Sequence, residues 1–269
     1  MFDPFGDFES AGYLRNTQGL KDSRIIKRIE HEVFRANLID AVDFISNVEN
    51  IEYGDFLKVH QILFFDFYPW AGKDRADIAP TIAVSKASVM FSHPRDAVLA
   101  VCQGLRIGQS GSMRQSLGEV MGLFAYGHPF LDGNGRTMLI VHSELCHRAG
   151  FSVDWSKTTK PDYLAALSHE IASPNDHVLD RYLSRFIAPE VPRARWFETI
   201  TAIDGLDGNK GRVSDVVEGD FSDEDVAGRY RDYEARRGYG IAPSASPGDA
   251  RPCDDCGQAP CICLPGARV

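Results

Sequence analysis

The sequence predicts an all-α protein with one short β-hairpin. Apolar residues recur at the three- and four-residue spacing of amphipathic helices over most of the chain up to Pro189. The stretch from Trp70 to Phe91 breaks this pattern, because it combines glycine and proline with a cluster of β-branched residues. We therefore expect the hairpin in this stretch and helices on both sides of it.

The predicted helices follow from the apolar spacing and from capping or breaking residues at their ends. The first begins at about Ser23, and the second begins at about Tyr53 and stops before Pro69, because proline cannot continue a helix. Further helices are expected to begin near Pro94, Ser110 or Ser112, Asn134, Pro161, Asn175 and Ser222.

Composition limits the class of protein. With 269 residues, of which 43% are hydrophobic and 25% charged, the chain has globular proportions, which excludes collagen-like, coiled-coil and wholly disordered proteins. The net charge of −9 argues against nucleic-acid binding through whole-protein electrostatics. No apolar run reaches the roughly 18 residues of a membrane span, and the acidic start is unlike a secretory signal. Six cysteines do not suggest a disulfide scaffold, so we expect a cytoplasmic protein without membrane or direct nucleic-acid contacts.

The segment from Gly127 to Thr137, GHPFLDGNGRT, is the candidate functional loop. An apolar helix brings His128 to its C-terminal end, where Pro129 forbids continuation, and a loop with two glycines leads into a new helix at Asn134. The N–H groups of such a loop and of the first turn that follows form an anion-binding site. The segment therefore predicts a phosphate-binding loop beside an imidazole.

The side chains of this loop have complementary chemistry. His128, with an ordinary pKa of about 6.5, can take a proton from an incoming hydroxyl group. Asp132 suits Mg²⁺, which prefers carboxylate, phosphate and water oxygens. Asn134 can donate to a phosphate oxygen, and Arg136 can bind two such oxygens at once. This set of groups indicates nucleophilic attack on a nucleotide phosphate.

The loop resembles the signature of the Fic (filamentation induced by cAMP) family, H-x-F-x-[DE]-G-N-G-R-x-x-R. The positions that match are His128, Phe130, Asp132, Gly133, Asn134, Gly135 and Arg136. Upstream, Asp66 to Arg75 resembles the family segment before the flap, and Thr81 to Phe91 would form that β-hairpin flap. The resemblance covers residues 23–189 and implies the all-α Fic fold, a helical core with a short β-hairpin flap.

The resemblance implies a protein adenylyltransferase that transfers AMP from ATP to a Ser, Thr or Tyr hydroxyl of a target protein and releases pyrophosphate. His128 would be the general base, Asp132 would hold Mg²⁺, and Phe130 would face the core. The backbone of 133–135 would form the anion hole, with Asn134 on the α-phosphate, and Arg136 would clamp the outer phosphates. The flap would align the target by main-chain strand addition.

One position departs from the family pattern. The second arginine of the signature falls at Leu139, which cannot contact a γ-phosphate. Either ATP is held more weakly or the donor is different, so kinase activity, UMP transfer and phosphocholine transfer are alternatives. A non-catalytic nucleotide-binding interaction module is another. Gly135 keeps the anion hole open, which favours nucleotidyl transfer.

The resemblance also suggests two modes of inhibition. Many Fic proteins are inhibited by a glutamate on a helix with the pattern [ST]-x-x-x-E-[GN], and Ser214 to Gly219 fits, which makes Glu218 a candidate inhibitory residue near ATP. That glutamate normally pairs with the second arginine, here Leu139, so a solvated acidic connector is the alternative interpretation. A separate antitoxin-like protein, as in a toxin–antitoxin pair, is the other candidate inhibitor.

The end of the chain offers one further candidate ligand set. Four thiolates can hold tetrahedral Zn²⁺, and the candidates are Cys253, Cys256, Cys261 and Cys263. Unligated thiols in a flexible tail are the alternative. Four histidines outside the candidate functional loop belong to no motif, and we interpret them as structural or surface residues. They are His60, His93, His142 and His147.

We divide the chain into four parts on this basis. They are an N-terminal extension at 1–22, the Fic domain with its N-terminal helices at 23–189, a C-terminal helical extension at 190–237 and a flexible tail with the cysteine cluster at 238–269.

Overall fold

A bundle of α-helices forms the body of the protein, and two small antiparallel sheets accompany it. The computed structural model describes residues 2–204, 206 and 215–238. The α-helices of these residues are α1 (Phe8–Ala11), α2 (Ser23–Ser46), α3 (Tyr53–Phe64), α4 (Arg75–Ile78), α5 (Ala97–Gly108), α6 (Leu117–Gly127), α7 (Asn134–Arg148), α8 (Lys160–Ala172), α9 (Val178–Leu183), α10 (Trp196–Thr201) and α11 (Glu224–Arg237). The strands are β1 (Ile82–Lys86), β2 (Val89–Met90), β3 (Ser152–Val153), β4 (Ile187–Ala188) and β5 (Val216–Asp220). The predicted all-α class with a β-hairpin flap is confirmed.

Capping aspartates mark the start of two helices, and several helices begin at the predicted positions. Asp22 caps α2, since its Oδ1 accepts a hydrogen bond from the N–H of Arg24 at 2.8 Å. Asp223 caps α11 by accepting from the N–H of Asp225 at 2.9 Å. The starts predicted at Ser23, Tyr53 and Asn134 are confirmed, and α9 begins three residues after the position predicted at Asn175, behind a short 3₁₀ turn.

Helices α6 and α7 lie at the centre of the bundle and position the loop that joins them. All of α6 except Glu119 is buried, and so is most of α7. The core around them also takes in the apolar faces of α2 and α3, which include Phe34, Leu38, Phe56 and Leu63. Because both helices are packed in the core along most of their length, the two ends of the loop that joins them are held in defined positions.

The flap is a β-hairpin of β1 and β2, in the predicted place. The two strands are antiparallel, with Ser85 opposite Met90. The sheet has a third strand that the sequence analysis did not predict, because β5 pairs with the other edge of β1 and gives the strand order β2-β1-β5. Strands β3 and β4 form a separate two-stranded sheet.

The N-terminal extension packs on the helical core. Leu14 is buried, and its carbonyl accepts a hydrogen bond from Trp70 Nε1 at 2.7 Å. Its neighbour Tyr13 reaches the loop between α6 and α7, as described below. Within the described residues we find no helix with the length and apolar character needed to span a membrane.

Candidate active site

His128 ends α6 in a conformation that is unusual for a residue with a side chain. Its backbone is left-handed, with φ 43° and ψ 54°, which costs about 1–2 kcal/mol for a residue other than glycine. The ring stacks on Phe91, with centroids 3.6 Å apart and planes 4° apart. The protein therefore holds this imidazole in one orientation, against the end of the flap.

Arg75 fixes the backbone around His128. Its side chain is fully buried, and Nε donates to the carbonyl of His128 at 2.8 Å while Nη2 donates to the carbonyl of Ser92 at 2.9 Å. The backbone N–H of Arg75 donates to the carbonyl of Pro129. Burial lowers the pKa of Arg75 to about 10, so the group is charged at neutral pH. Arg75 belongs to the segment before the flap, for which the resemblance implied no individual residue roles.

The Nε2 atom of His128 lies between a carboxylate and an amide. Asp215 Oδ2 is 3.0 Å away and Asn134 Nδ2 is 3.1 Å away. A protonated Nε2 donates to Asp215, whereas an unprotonated Nε2 accepts from Asn134. Burial lowers the pKa of His128 to about 4, and Asp215 opposes this shift. The imidazole is therefore neutral at neutral pH, as a general base must be, and the contacts to Asp215 and Asn134 decide which ring nitrogen carries its one proton.

Asn134 braces the loop with its amide group. Its Oδ1 accepts from the N–H of Phe130 at 2.9 Å, and its Nδ2 donates to the carbonyl of the same residue at 2.6 Å. Together with the contact to His128, these bonds use both ends of the amide. The predicted contact of this side chain with an α-phosphate stays a prediction.

Asp132 is held by three parts of the chain. Its Oδ1 accepts from the N–H of Gly133 at 2.6 Å, and its Oδ2 accepts from the hydroxyl of Tyr13 at 3.3 Å. Its carbonyl is 3.0 Å from Nε2 of His60. His60 Nδ1 accepts from the N–H of Gly72, so Nε2 carries the proton and donates to the Asp132 carbonyl. His60 is structural, as interpreted from the sequence, and its specific task is to support this loop.

Arg136 is buried and paired with an acidic residue of α2. Its Nη2 lies 2.7 Å from Glu30 Oε1 and 3.5 Å from Asp132 Oδ1. The guanidinium also lies over the ring of Phe64, 4.5 Å from the centroid. Its Nη1 has no hydrogen-bond partner among the described residues. A buried donor without a partner is costly.

A cavity of about 360 Å³ opens beside the loop. The predicted residues that line it are His128, Asp132, Gly133, Asn134, Gly135 and Arg136. A Cβ atom on Gly135 would meet no protein atom within 4 Å, so packing does not explain this glycine. Gly133 differs, since its φ is 80° and a Cβ would lie 2.6 Å from Phe64 Cε2. Leu139 is buried and also lines the cavity, which puts an apolar side chain where the family pattern has its second arginine.

The structure places the other candidate residues elsewhere. The pattern predicted a helix for Glu218, but this residue lies in strand β5. Its Oε1 accepts a hydrogen bond from Ser85 Oγ at 2.5 Å. Its Oε2 accepts from Arg229 Nη1 at 2.9 Å, so the carboxylate is bound to the flap and to α11. The sequence cannot show this, because a short pattern does not reveal that a distant strand will pair with it. The candidate zinc ligands Cys253, Cys256, Cys261 and Cys263 lie outside the described residues.

Two residues reach the site from parts of the chain that the sequence analysis assigned to extensions. Tyr13 precedes the helical core, and Asp215 follows it. Glu30 lies on α2, one helix away from the loop. None of the three is a fixed position of a motif, and each is more than 80 residues from its partner in the loop.

Comparison with known proteins finds a family match over the central part of the chain. The profile of the Fic/DOC family matches residues 50–146, which include the flap and the loop. The chain is 28% identical over 181 residues to the protein adenylyltransferase VbhT of Bartonella schoenbuchensis, an alignment that covers 61% of this chain and 35% of VbhT. It is 26% identical over 167 residues to the probable protein adenylyltransferase y4lH of Sinorhizobium fredii, covering 57% of this chain and 81% of y4lH. It thus spans about a third of the length of VbhT.

A solved structure shows the same fold. The N-terminal Fic domain of a putative cell filamentation protein from Bartonella quintana, with bound ADP, superposes with a TM-score of 0.54 at 21% identity, covering 70% of this chain and 96% of that one. Residues 50–146 therefore match the Fic/DOC family, and the described residues adopt the Fic fold.

Proposed function

We propose that the protein transfers AMP from ATP to a Ser, Thr or Tyr hydroxyl of a target protein and releases pyrophosphate. One observation carries the proposal. The neutral imidazole of His128 and the N-terminus of α7 border the same cavity, which supports a base that acts beside a bound phosphate.

His128 would act on the acceptor hydroxyl. Its Nε2 takes the proton as the hydroxyl oxygen forms a bond to the α-phosphorus, and the bond from that phosphorus to the oxygen bridging the β-phosphorus breaks. Pyrophosphate leaves with that bridging oxygen. Positioned general bases contribute on the order of 10²–10⁴-fold to rate. Phe91 and Arg75 support this step, because they fix the ring and the backbone of His128.

The phosphates would lie over the first turn of α7. Gly135 leaves room there, and a backbone that approaches phosphate oxygens closely needs such room. Arg136 would donate from Nη1, which has no partner among the described residues. Leu139 offers no charge for a γ-phosphate, so the clamp on the outer phosphates rests on Arg136.

Asp132 fits the role of a magnesium ligand. Its carboxylate accepts from the N–H of Gly133 and from the hydroxyl of Tyr13, and the residue borders the cavity. A single carboxylate beside bound phosphates is the usual protein contribution to a Mg²⁺ site. When bound, the ion would neutralise charge on the phosphates. Tyr13 and Gly133 would keep the carboxylate in place.

The comparisons support the proposal in two ways. VbhT and y4lH are both named as protein adenylyltransferases, the second as probable. The Bartonella quintana domain holds ADP, which supports a nucleotide in the cavity of this chain.

Isotope position tests the reaction. The purified chain is incubated with Mg²⁺, a protein extract of the source cells, and ATP labelled at either the α- or the γ-phosphate. We expect α-label in protein, an adduct of about 329 Da in the intact mass of the target, and loss of both in His128→Ala. Label from the γ-phosphate alone, with an adduct of about 80 Da, would contradict the proposal and indicate a kinase.

The same variant separates an enzyme from a binding module. His128→Ala removes the base and leaves the anion site, so nucleotide binding should stay within about threefold of the wild type while transfer is lost. A wild-type chain that binds nucleotide and transfers no label to any protein would indicate the non-catalytic alternative.

A further inference from the structure

Strand β5 pairs with the edge of β1 that β2 leaves open, next to the candidate base. β2 occupies one edge of β1, and without β5 the other edge would expose unpaired N–H and C=O groups. The pairing of β1 with β5 is antiparallel, with Ser85 opposite Val216 and Ile82 opposite Asp220. An extended peptide of another protein would use these same main-chain groups.

Side chains on both sides of this pairing hold β5 in place. Ser85 Oγ donates to Glu218 at 2.5 Å, and Thr81 Oγ1 donates to Asp220 Oδ2 at 2.6 Å. From α11, Arg229 donates to the other oxygen of Glu218 and to its carbonyl. Ser85 and Arg229 hold the pKa of the Glu218 carboxyl below its ordinary value, so these contacts are charge-assisted at neutral pH.

The residue just before β5 enters the candidate active site. Asp215 is 5% exposed, its Oδ2 lies 3.0 Å from Nε2 of His128, and its Oδ1 accepts from Lys86 Nζ at 2.7 Å. The nitrogen that would take the proton of an acceptor hydroxyl is thus already in contact with a side chain of the same protein. The next residue, Val216, is 49% exposed and does not fill this position.

Two features of the contact between Asp215 and His128 resemble the way a substrate segment would bind. The strand pairing fixes the register, and the register brings one side chain to the base. That side chain carries a carboxylate, which has no hydroxyl to be modified in the proposed reaction. A segment with the backbone of a substrate and an unreactive acceptor position is a pseudosubstrate.

We infer that residues 215–220 act as an internal pseudosubstrate, which a target protein must displace from the flap before its own hydroxyl reaches His128. The inference rests on the proposed function for its chemistry. It also describes the target: an extended segment that pairs antiparallel with β1 and carries its acceptor residue at the position of Asp215, immediately before the paired residues.

A reversible cross-link tests the displacement. In Ser85→Cys/Val216→Cys the two cysteines replace directly opposed residues of an antiparallel pair, whose Cα atoms lie within disulfide range. The oxidised protein cannot release β5. Ser85→Cys alone, treated with the same oxidant, is the matched control, since it retains all native cysteines and lacks the partner thiol.

Two measurements are made on the cross-linked and reduced forms. The first is transfer of α-label from ATP to protein. The second is fluorescence anisotropy of a labelled peptide with the sequence of residues 214–222, which reports an open flap edge without any chemistry. We expect both signals to fall at least about tenfold on oxidation and to return with reductant.

The two measurements separate this inference from the proposed function. Label transfer that is equal in both redox states would overturn the inference and leave the proposed function intact. Peptide binding that is lost on oxidation and regained on reduction, in a chain that transfers no label, would support the pseudosubstrate and contradict the proposed chemistry.

A second variant loosens β5 without touching the base. Glu218→Ala removes the side-chain contacts to Ser85 and Arg229 and leaves the one from Arg229 to the backbone carbonyl. We therefore expect β5 to leave the flap more often and peptide binding to tighten by about fivefold. Glu224→Ala, at the exposed start of α11, should change nothing. Equal peptide binding by Glu218→Ala and the wild type would contradict the inference.

Discussion

Glu30 and Arg136 form a buried ion pair that joins α2 to the start of α7, with Oε1 and Nη2 2.7 Å apart. Both side chains are almost fully buried, at 3% and 6% exposure. Removing one member of such a pair leaves the other charge uncompensated in the core. The candidate functional loop therefore depends on a helix that contains none of its motif.

We expect Glu30→Ala to lower the free energy of unfolding by about 3 kcal/mol, because the Arg136 guanidinium is left with only the longer contact to Asp132. Glu30→Gln keeps an acceptor oxygen and should cost less. Urea denaturation measures both. Glu32→Ala, exposed on the same helix, is the control, and a loss as large in that variant would contradict the assignment.

Two glycines of the loop should respond in opposite ways to alanine. Gly135→Ala places a methyl group where there is no protein atom within 4 Å, so stability should hold while nucleotide affinity falls by about tenfold. Gly133→Ala forces a side chain at φ 80° against Phe64 and should destabilise the fold by about 2 kcal/mol. Thermal unfolding and titration with an ATP analogue separate the two effects. If Gly135→Ala binds the ATP analogue as tightly as the wild type does, the phosphates do not lie next to Gly135.

The left-handed backbone of His128 predicts a difference between two inactive variants. Glycine adopts this conformation without steric cost and alanine does not, so His128→Gly should be more stable than His128→Ala by about 1 kcal/mol. Both lose the ring, and with it the contacts to Phe91 and Asp215, so those losses cancel in the comparison. Equal midpoints in urea would show that the backbone relaxes at this residue.

Buried neutral histidines should make the protein sensitive to acid. Burial lowers the pKa of His60 to about 3 and that of His142 to about 4. The unfolded chain binds these protons below pH 6.5 and the folded chain does not, so stability is full above pH 6.5 and falls as pH drops towards 4. For each of the two histidines, the free energy of unfolding should fall by about 2 kcal/mol between pH 7 and pH 5.

Urea denaturation at several pH values checks this slope. His142→Gln should remove the contribution of one histidine and so make the stability depend less steeply on pH. A slope that is the same in His142→Gln and the wild type would contradict the buried neutral state.

The loop from His128 to Arg136 was predictable because its chemistry is local. A helix end, a proline, two glycines and the start of a second helix all fall within one short segment, and each acts on its neighbours in sequence. The flap was predictable for a similar reason, since its β-branched residues and turn are contiguous.

The residues that support this loop were not predictable in the same way. Arg75 acts through a carbonyl 53 residues away, and Tyr13 contacts Asp132 across 119 residues. No spacing rule connects such positions, because tertiary packing brings them together. β5 is a further case: five residues with a glycine and two acids show little strand propensity, and the strand forms because the edge of β1 is there to pair with it.

Because β5 belongs to the same chain as the flap, its local concentration beside β1 is of the order of millimolar, however dilute the protein is. A free peptide of equal intrinsic affinity would not compete at the concentrations of most cellular proteins. A substrate that succeeds needs a second point of attachment outside the strand, so that its own acceptor segment is tethered as well. Selectivity among targets would then depend on surfaces far from the transferred group.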